Sequence, residues 1–164
     1  MSTDIKQIFD LTGELKVGEK ELLENAYAFA EKAHEGQKRH SGDPYFVHVF
    51  ETAKILASLG MDAKTIAAGF MHDVLEDTEI QESEMEEKFG KDIVFLVNGV
   101  TKLGTLKYRG HERHVESLRK FFVAMSNDLR VVIIKLADRL HNLRTLEHVR
   151  EDKRARIALE SIDV

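Results

Sequence analysis

The spacing of the apolar residues is the feature that most restricts how this chain can fold. Apolar residues recur every three or four positions, which is the period of one helix face, and runs that alternate with period two are missing. One Pro and ten Gly are spread over 164 residues, so few positions interrupt the helical pattern. The sequence therefore predicts an all-α protein of about seven to nine helices.

Local signals predict where the helices begin and end. The predicted helices cover about residues 19–34, 44–59, 62–76, 83–90 and 92–100, then about 112–126, a helix from 128 and a last one from about 152. The residues predicted to cap helix N-termini with their side chains are Asp43 before Pro44, Asp62, Ser83 with Glu86, and Asp128. Gly60 and Gly90 are predicted to end helices.

Length, charge and composition restrict the class of protein. A chain of 164 residues favours one domain, which we place at residues 19–164 after an N-terminal extension of residues 1–18. The absence of Cys excludes disulfides and a thiolate zinc site. The first residues lack the pattern of a signal peptide and no apolar run is long enough for a membrane span, so we expect a cytoplasmic protein without membrane contact. The net charge of −5 argues against nucleic-acid binding.

Four residues have the chemistry of a metal site, namely His48, His72, Asp73 and Asp138. Two imidazoles and two carboxylates suit a divalent ion of intermediate hardness, such as Mn²⁺, Fe²⁺ or Zn²⁺. Neighbouring helical residues lie about 100° apart around the axis, so His72 and Asp73 could flank one ion. A His-Asp pair can also be a buried histidine bonded to a carboxylate.

The residues around these candidates strengthen the metal interpretation. Glu76 and Asp77 follow His72 and Asp73 at a spacing of four, and such a cluster of carboxylates would repel itself without a cation. A solvated helix end is the alternative. Asp138 interrupts the apolar run VVIIKLADRL on a polar stripe with Lys135, Asn142 and Thr145. That stripe could be a solvent face, although the preceding VVII leaves little room for one.

Four longer segments carry a resemblance to a known family. They are AEKAHEGQKRHSGDPYFVH, AAGFMHDVLEDT, FGKDIVFLVNGVTKLG and IKLADRLHNLRTL, in this order over about residues 20–164. With them the chain resembles the hydrolase domain of RelA/SpoT homologues, a branch of the HD phosphohydrolase superfamily. The resemblance implies a helical HD-domain bundle with a single metal site. It also implies an enzyme that removes the 3′-pyrophosphate of ppGpp or pppGpp and leaves GDP or GTP.

The resemblance also assigns roles to residues of this chain. It implies Mn²⁺ as the cofactor, with the metal ligands His48, His72, Asp73 and Asp138, and Glu76 and Asp77 as the pair that positions and activates the attacking water. The predicted substrate-binding residues are Arg39, His40, Ser41, Asn142 and Thr145, and Lys107 joins them from a basic segment that could close over the pyrophosphate. A solvated charged loop is the alternative for that segment.

The sequence departs from the family pattern at two positions. His40 stands where the family usually has Lys, and Val49 follows His48 where Pro is common. Many members continue into synthetase and regulatory domains, so we expect the chain, ending in ALESIDV, to be a fragment of a longer parent. The alternatives are an HD phosphohydrolase for another nucleotide, such as NADPH or a dNTP, and a non-hydrolytic domain that binds nucleotide for regulation.

Overall fold

The computed structural model describes residues 3–39, 41–104, 123, 127–146 and 154, and its regular elements are helices. They are α1 (Lys6–Phe9), α2 (Glu19–Ala33), α3 (Phe46–Ser58), α4 (Ala63–Met71), α5 (Val74–Asp77), α6 (Glu82–Phe89), α7 (Lys91–Gly104) and α8 (Leu129–Arg144). The sole β pairing among the described residues is an isolated bridge between Lys38 and Pro44. The predicted all-α class is therefore confirmed.

Helix α4 lies at the centre of the molecule. It packs against α2, α3, α7 and α8, and nearly all of its AKTIAAGFM sequence is buried. A helix that is apolar on every side belongs inside a core. A Cβ atom at Gly69 would overlap the side chain of Leu56, so this glycine lets α3 and α4 approach closely. The residues at the C-terminal end of α4 are consequently held on a rigid support.

Aromatic rings join α2, α3 and α4. Tyr27 packs edge-on against Phe46, with ring centroids 4.9 Å apart, and against Phe70 at 5.9 Å. Such edge-to-face pairs stabilise a core beyond the area they bury. Ile8 of α1 is fully buried in the same core. Part of the predicted N-terminal extension therefore contacts the bundle, while the boundary at residue 19 stays a prediction.

Several predicted helix ends are confirmed. The Asp62 side chain accepts a hydrogen bond from the Thr65 amide at 3.0 Å, and Asp128 accepts one from the Arg130 amide at 2.9 Å, as N-caps do. Gly60 follows α3 with a φ of 70°, the left-handed conformation that ends many helices. The apolar segment from residue 92 is helical within α7, as predicted.

Two predicted N-caps are wrong. Helix α3 begins after Tyr45 rather than after Asp43, because the Asp43 carbonyl accepts from the Arg39 amide at 2.9 Å and closes a turn there. Helix α6 begins after Gln81, so Ser83 lies inside its first turn and does not cap it. Both side chains could have capped a helix, but Asp43 lies in the turn before α3 and Ser83 lies within the first turn of α6.

The predicted helix 62–76 is two helices, and this is the largest difference. His72 and Asp73 form the turn between α4 and α5. In a continuous helix the Gly69 carbonyl would accept from the Asp73 amide. Here it accepts from His72 Nδ1 at 2.8 Å. The side chain of His72 thus donates to the Gly69 carbonyl at the point where α4 ends.

The predicted helices over 112–126 and from 152 lie outside the described residues, apart from the single positions 123 and 154. Within the part of the chain that the structure describes, no helix is long and apolar enough to cross a membrane.

Candidate metal centre

Three segments bring the four predicted ligands to one place. His48 comes from α3, His72 and Asp73 from the α4–α5 turn, and Asp138 from α8. Ligand atoms of His48, His72 and Asp138 all lie within 4.8 Å of one another, and the three residues are buried. His48 Nε2 lies 3.2 Å from Asp138 Oδ1 and 3.5 Å from Asp73 Oδ2. We call these four residues the ligand cluster.

The hydrogen bond that His72 makes through Nδ1 leaves the lone pair of its neutral ring on Nε2, which faces the ligand cluster. Its Nδ1 lies 2.8 Å from the Gly69 carbonyl, which can only accept, so this nitrogen carries the proton. In the neutral ring Nε2 then holds the lone pair. Nε2 is buried 3.2 Å from Asp73 Oδ2, yet within the described part of the chain it makes no well-aligned hydrogen bond. A buried nitrogen without a hydrogen bond fits a metal ligand, and the N₂O₂ donor set fits a divalent ion.

Asp138 is held from three sides. Its Oδ2 accepts from Lys135 Nζ at 2.9 Å, and its Oδ1 accepts from Asn142 Nδ2 at 2.6 Å and faces the cluster histidines. Burial opposes its charge, but His48, His72 and Lys135 hold the pKa of Asp138 well below its usual range. Asp138 is 5% exposed, so the alternative of a solvent-facing stripe is wrong at this position.

The two carboxylates make the centre attractive to a cation. Burial lowers the pKa of His72, but Asp73 and Asp138 raise it more, to about 10. Burial likewise opposes the charge of Asp73, while His72 and His48 hold the pKa of Asp73 well below its usual range. In the absence of an ion, a proton on the His72 imidazole balances the negative charge of the two carboxylates. A divalent ion would replace that proton and balance the same charge.

Tyr45 was not predicted, although it connects the ligand cluster to the predicted catalytic pair. Its hydroxyl lies 2.8 Å from Asp73 Oδ2 and 2.7 Å from Asp77 Oδ2, and can donate to one of them at a time. Burial and both carboxylates raise the pKa of Tyr45, so the hydroxyl keeps its proton. Its ring stacks on His34 with centroids 4.8 Å apart, which fixes where the hydroxyl points.

The predicted catalytic pair lies on the short helix α5, and both side chains are exposed. Gln37 supports this helix, because its Nε2 donates to the Asp77 carbonyl at 2.9 Å while its Oε1 accepts from His34 Nδ1 at 2.8 Å. Partial burial of its carboxyl group, followed by the charge of Asp73, raises the pKa of Glu76. A carboxylate of raised pKa is a stronger base than an ordinary one.

The structure brings two predicted substrate-binding residues to the edge of the ligand cluster. Arg39 Nη2 donates to Asn142 Oδ1 at 2.6 Å, and Asn142 in turn donates to Asp138. Arg39 Nη1 is buried and makes no hydrogen bond to the described residues, so among them one guanidinium donor group stays available. Asn142 therefore links Arg39 to Asp138, a predicted ligand.

The remaining predicted substrate-binding residues are not joined to the ligand cluster by the hydrogen bonds of the described part. Ser41 is exposed in the turn before α3, where its hydroxyl lies 3.4 Å from the Asp43 amide. The Thr145 hydroxyl donates to the His141 carbonyl at 3.1 Å. His40 and Lys107 lie outside the described residues. Their predicted roles stay predictions.

His141 is a second residue that the sequence reasoning missed. It is 5% exposed on α8, and its Nδ1 lies 2.7 Å from His48 Nδ1. Burial and the neighbouring His48 and Arg39 lower the pKa of His141 to about 4, so the ring is neutral at pH 7. The available signal was spacing, because His141 follows Asp138 by three residues and Tyr45 precedes His48 by three, one helical turn in each case.

Comparison with known proteins shows that the chain matches one family over most of its length. The HD domain family matches residues 26–164. The chain is 49% identical over 143 residues to "Bifunctional (p)ppGpp synthase/hydrolase SpoT" of Escherichia coli (strain K12), a match that covers 87% of this chain and 20% of that protein. It is 45% identical over 148 residues to "GTP pyrophosphokinase" of Myxococcus xanthus, covering 88% and 20%. The chain thus spans about a fifth of the length of these curated relatives.

A solved structure agrees with the family match. It is described as "A metazoan ortholog of SpoT hydrolyzes ppGpp and plays a role in starvation responses" and is 26% identical to this chain. The two share a TM-score of 0.73 over 93% of this chain and 86% of the other. The HD domain family matches most of the chain, and His48, His72 and Asp138 form a buried cluster of metal-type ligands. This protein therefore belongs to the HD domain family.

Proposed function

We propose that this protein hydrolyses the 3′-pyrophosphate of ppGpp and pppGpp, releasing pyrophosphate and leaving GDP or GTP. The observation that carries the proposal is the convergence of His48, His72, Asp73 and Asp138 beside the acidic helix α5. It is supported by relatives whose names state this activity, among them "Guanosine-3′,5′-bis(diphosphate) 3′-pyrophosphohydrolase" of Escherichia coli O157:H7, 49% identical over 87% of this chain.

We infer that the ligand cluster holds one divalent ion, and Mn²⁺ suits its oxygen and nitrogen donors. His48 and His72 would ligate through Nε2, and Asp73 and Asp138 through one carboxylate oxygen each. When bound, such an ion supplies Lewis-acid polarisation of a phosphate oxygen. The cluster is buried except on the side of Asp73, whose side chain is 17% exposed. Substrate would therefore approach past Asp73 and α5.

The proposed chemistry on the protein side belongs to α5. Glu76 is the general base that takes a proton from the attacking water, because it combines exposure to solvent with a raised pKa. Asp77 orients that water, and the Tyr45 hydroxyl lies between the carboxylates of Asp77 and Asp73 and donates to one of them at a time. The water then attacks the phosphorus atom bonded to the 3′ oxygen of the ribose, and the bond between that phosphorus and the 3′ oxygen breaks. Pyrophosphate leaves with the oxygen of the water, and the 3′ oxygen takes up a proton to become the 3′ hydroxyl of GDP or GTP.

The nucleotide would be held by residues around the entrance. Arg39 has a buried donor group without a partner among the residues that the structure describes. Its guanidinium carbon lies 5.8 Å from the centroid of the Tyr45 ring. Arginine in such a position can stack on a base or bind a phosphate through its planar fork. Asn142 holds Arg39 toward Asp138. We propose that His40, Ser41, Lys107 and Thr145 complete the contacts to the nucleotide.

The names of the longer relatives include synthesis as well as hydrolysis. A site with one ion and an adjacent carboxylate base suits attack by water, which is the hydrolytic half of the name "synthase/hydrolase". We therefore assign hydrolysis to this chain. We also infer that it works within a longer parent that carries a synthetase or regulatory domains, since its relatives are about five times its length.

The proposal is tested by incubating the protein with ppGpp and Mn²⁺ and following pyrophosphate and GDP by ³¹P NMR and anion-exchange chromatography. We expect equimolar pyrophosphate and GDP, and neither product when the ion is chelated. NADPH and dNTPs are tested in parallel. Hydrolysis of one of these without ppGpp hydrolysis would indicate another nucleotide as substrate. Binding of ppGpp without product would indicate the regulatory alternative.

A further inference from the structure

We propose that His141 is a positioning residue that accepts the Nδ1 proton of His48 and so directs the lone pair of His48 Nε2 into the ligand cluster. The inference rests on the ion of the proposed function, but it does not depend on which substrate is cleaved. It assigns a role to a buried histidine that neither ligates the ion nor contacts the predicted catalytic pair.

The distance between the two rings requires one proton between them. His48 Nδ1 and His141 Nδ1 are 2.7 Å apart, which is a hydrogen-bond distance. Two unprotonated nitrogens would oppose their lone pairs at this distance, and two protonated nitrogens would oppose their N–H groups. One ring therefore donates and the other accepts.

The other side of His48 decides which ring is the donor. His48 Nε2 faces Asp138 Oδ1 at 3.2 Å and Asp73 Oδ2 at 3.5 Å, inside the cluster. A neutral imidazole that binds an ion through Nε2 carries its proton on Nδ1. His48 is then the donor, and His141 accepts on Nδ1 and carries its own proton on Nε2. The opposite arrangement would place a proton where the ion has to bind.

The two cluster histidines are anchored in different ways. His72 Nδ1 donates to the Gly69 carbonyl, a backbone group that every residue provides. His48 Nδ1 has a side chain as its partner, so its tautomer depends on the identity of residue 141. Outer partners of this kind set the orientation and basicity of ligating histidines. His141 and Asp138 lie three residues apart on α8, so one helix supplies both a ligand and the anchor of another ligand.

The test compares two substitutions at one position. Asparagine places Oδ1 near the position of histidine Nδ1 and can accept the His48 proton, whereas leucine fills similar space and cannot. Mn²⁺ affinity is measured by EPR titration, without nucleotide. We expect His141→Leu to weaken Mn²⁺ binding by about 10–100-fold. We expect His141→Asn to stay within about threefold of the wild-type protein, since the hydrogen bond is kept.

Folding controls and spectroscopy separate positioning from packing. The melting temperature of each ion-free variant reports on packing, and ion affinity is compared only among variants that melt cooperatively. If His141→Leu does not fold, the tautomer of His141 is determined in the wild-type protein by ¹H–¹⁵N NMR, with Zn²⁺ as a diamagnetic probe. We expect His141 protonated on Nε2 and a coupling between the two Nδ1 nuclei across the hydrogen bond.

Three results would overturn the inference. They are unchanged Mn²⁺ affinity in a folded His141→Leu variant, equal losses in the Asn and Leu variants, and a His141 that carries its proton on Nδ1. Failure of the proposed function looks different, because the wild-type protein would then bind Mn²⁺ and show the expected His141 tautomer while leaving ppGpp intact. A wild-type protein that binds no divalent ion would overturn both.

Discussion

The ligand cluster and the acidic helix α5 beside it are supported by different kinds of interaction. The histidines of the cluster are at most 2% exposed and come from α3 and the end of α4, which pack closely at Gly69. Helix α5 has only four residues, and side-chain hydrogen bonds from Gln37 and Tyr45 hold its Asp77. Ion binding should therefore depend on the core, and turnover on a few polar contacts, so that mutations can separate the two.

The largest effect is expected from Asp138→Ala, which removes a proposed ligand from the cluster. We expect Mn²⁺ affinity to fall by more than about 100-fold and hydrolysis to be lost with it. The substitution also leaves the Lys135 ammonium without its partner, so the ion-free protein should lose about 3 kcal/mol of stability. Isothermal titration with Mn²⁺ and urea unfolding measure the two effects. Full Mn²⁺ occupancy in this variant would remove Asp138 from the site.

Glu76→Ala tests the other region. We expect turnover to fall by about 10²–10⁴-fold, because the proposed general base is lost, while Mn²⁺ affinity stays that of the wild-type protein. Steady-state kinetics with ppGpp and Mn²⁺ titration measure this contrast. Glu79→Ala is the matched control, since Glu79 is also exposed and follows α5 without a proposed role. Unchanged hydrolysis in Glu76→Ala would end its assignment as the base.

Tyr45→Phe is expected to disturb both regions, because the hydroxyl contacts Asp73 in the cluster and Asp77 on α5. The ring and its stacking on His34 are kept. We expect kcat and Mn²⁺ affinity each to fall by about 10-fold. Tyr27→Phe is the control, since its hydroxyl makes a long 3.5 Å contact to Glu31. A Tyr45→Phe variant that behaves like Tyr27→Phe would show that the two regions are not connected through this hydroxyl.

The smallest effect is expected from Asp62→Ala, which touches neither region. Asp62 caps α4 at the end opposite His72 by accepting from the Thr65 amide and hydroxyl. Loss of an N-cap costs about 1 kcal/mol. Thermal unfolding should report that cost, while kcat for ppGpp and Mn²⁺ affinity stay at their wild-type values. A parallel loss of ion affinity would mean that the cluster is sensitive to general loosening of the core.

The sequence predicted the parts of the structure that local patterns determine. Apolar residues at steps of three and four indicated α4 and α8 as helices. Asp62 and Asp128 signalled helix starts because N-capping uses residues close in sequence. The helix break at His72-Asp73 was missed because the His72 side chain, rather than a backbone amide, donates to the Gly69 carbonyl. The pattern of apolar residues continues through such a break.

The cluster itself was predicted because its ligand types are rare in apolar helices, as with Asp138 in VVIIKLADRL. The supporting residues were not, since their partners are distant in sequence. Tyr45 bonds to a residue 28 positions away, and His141 to one 93 positions away. A tyrosine or a histidine on a helix has many possible partners, and only the packing of α3 on α8 and on the α4–α5 turn selects these.

The claim on which the other conclusions depend is that the buried cluster binds one divalent ion. Equilibrium dialysis of the purified protein with Mn²⁺, followed by metal and protein quantification, measures it directly, with His72→Ala as the paired variant. We predict one Mn²⁺ per chain for the wild-type protein and none at the same free concentration for His72→Ala. A wild-type protein that takes up no ion, or a His72→Ala variant that keeps full occupancy, would contradict this account.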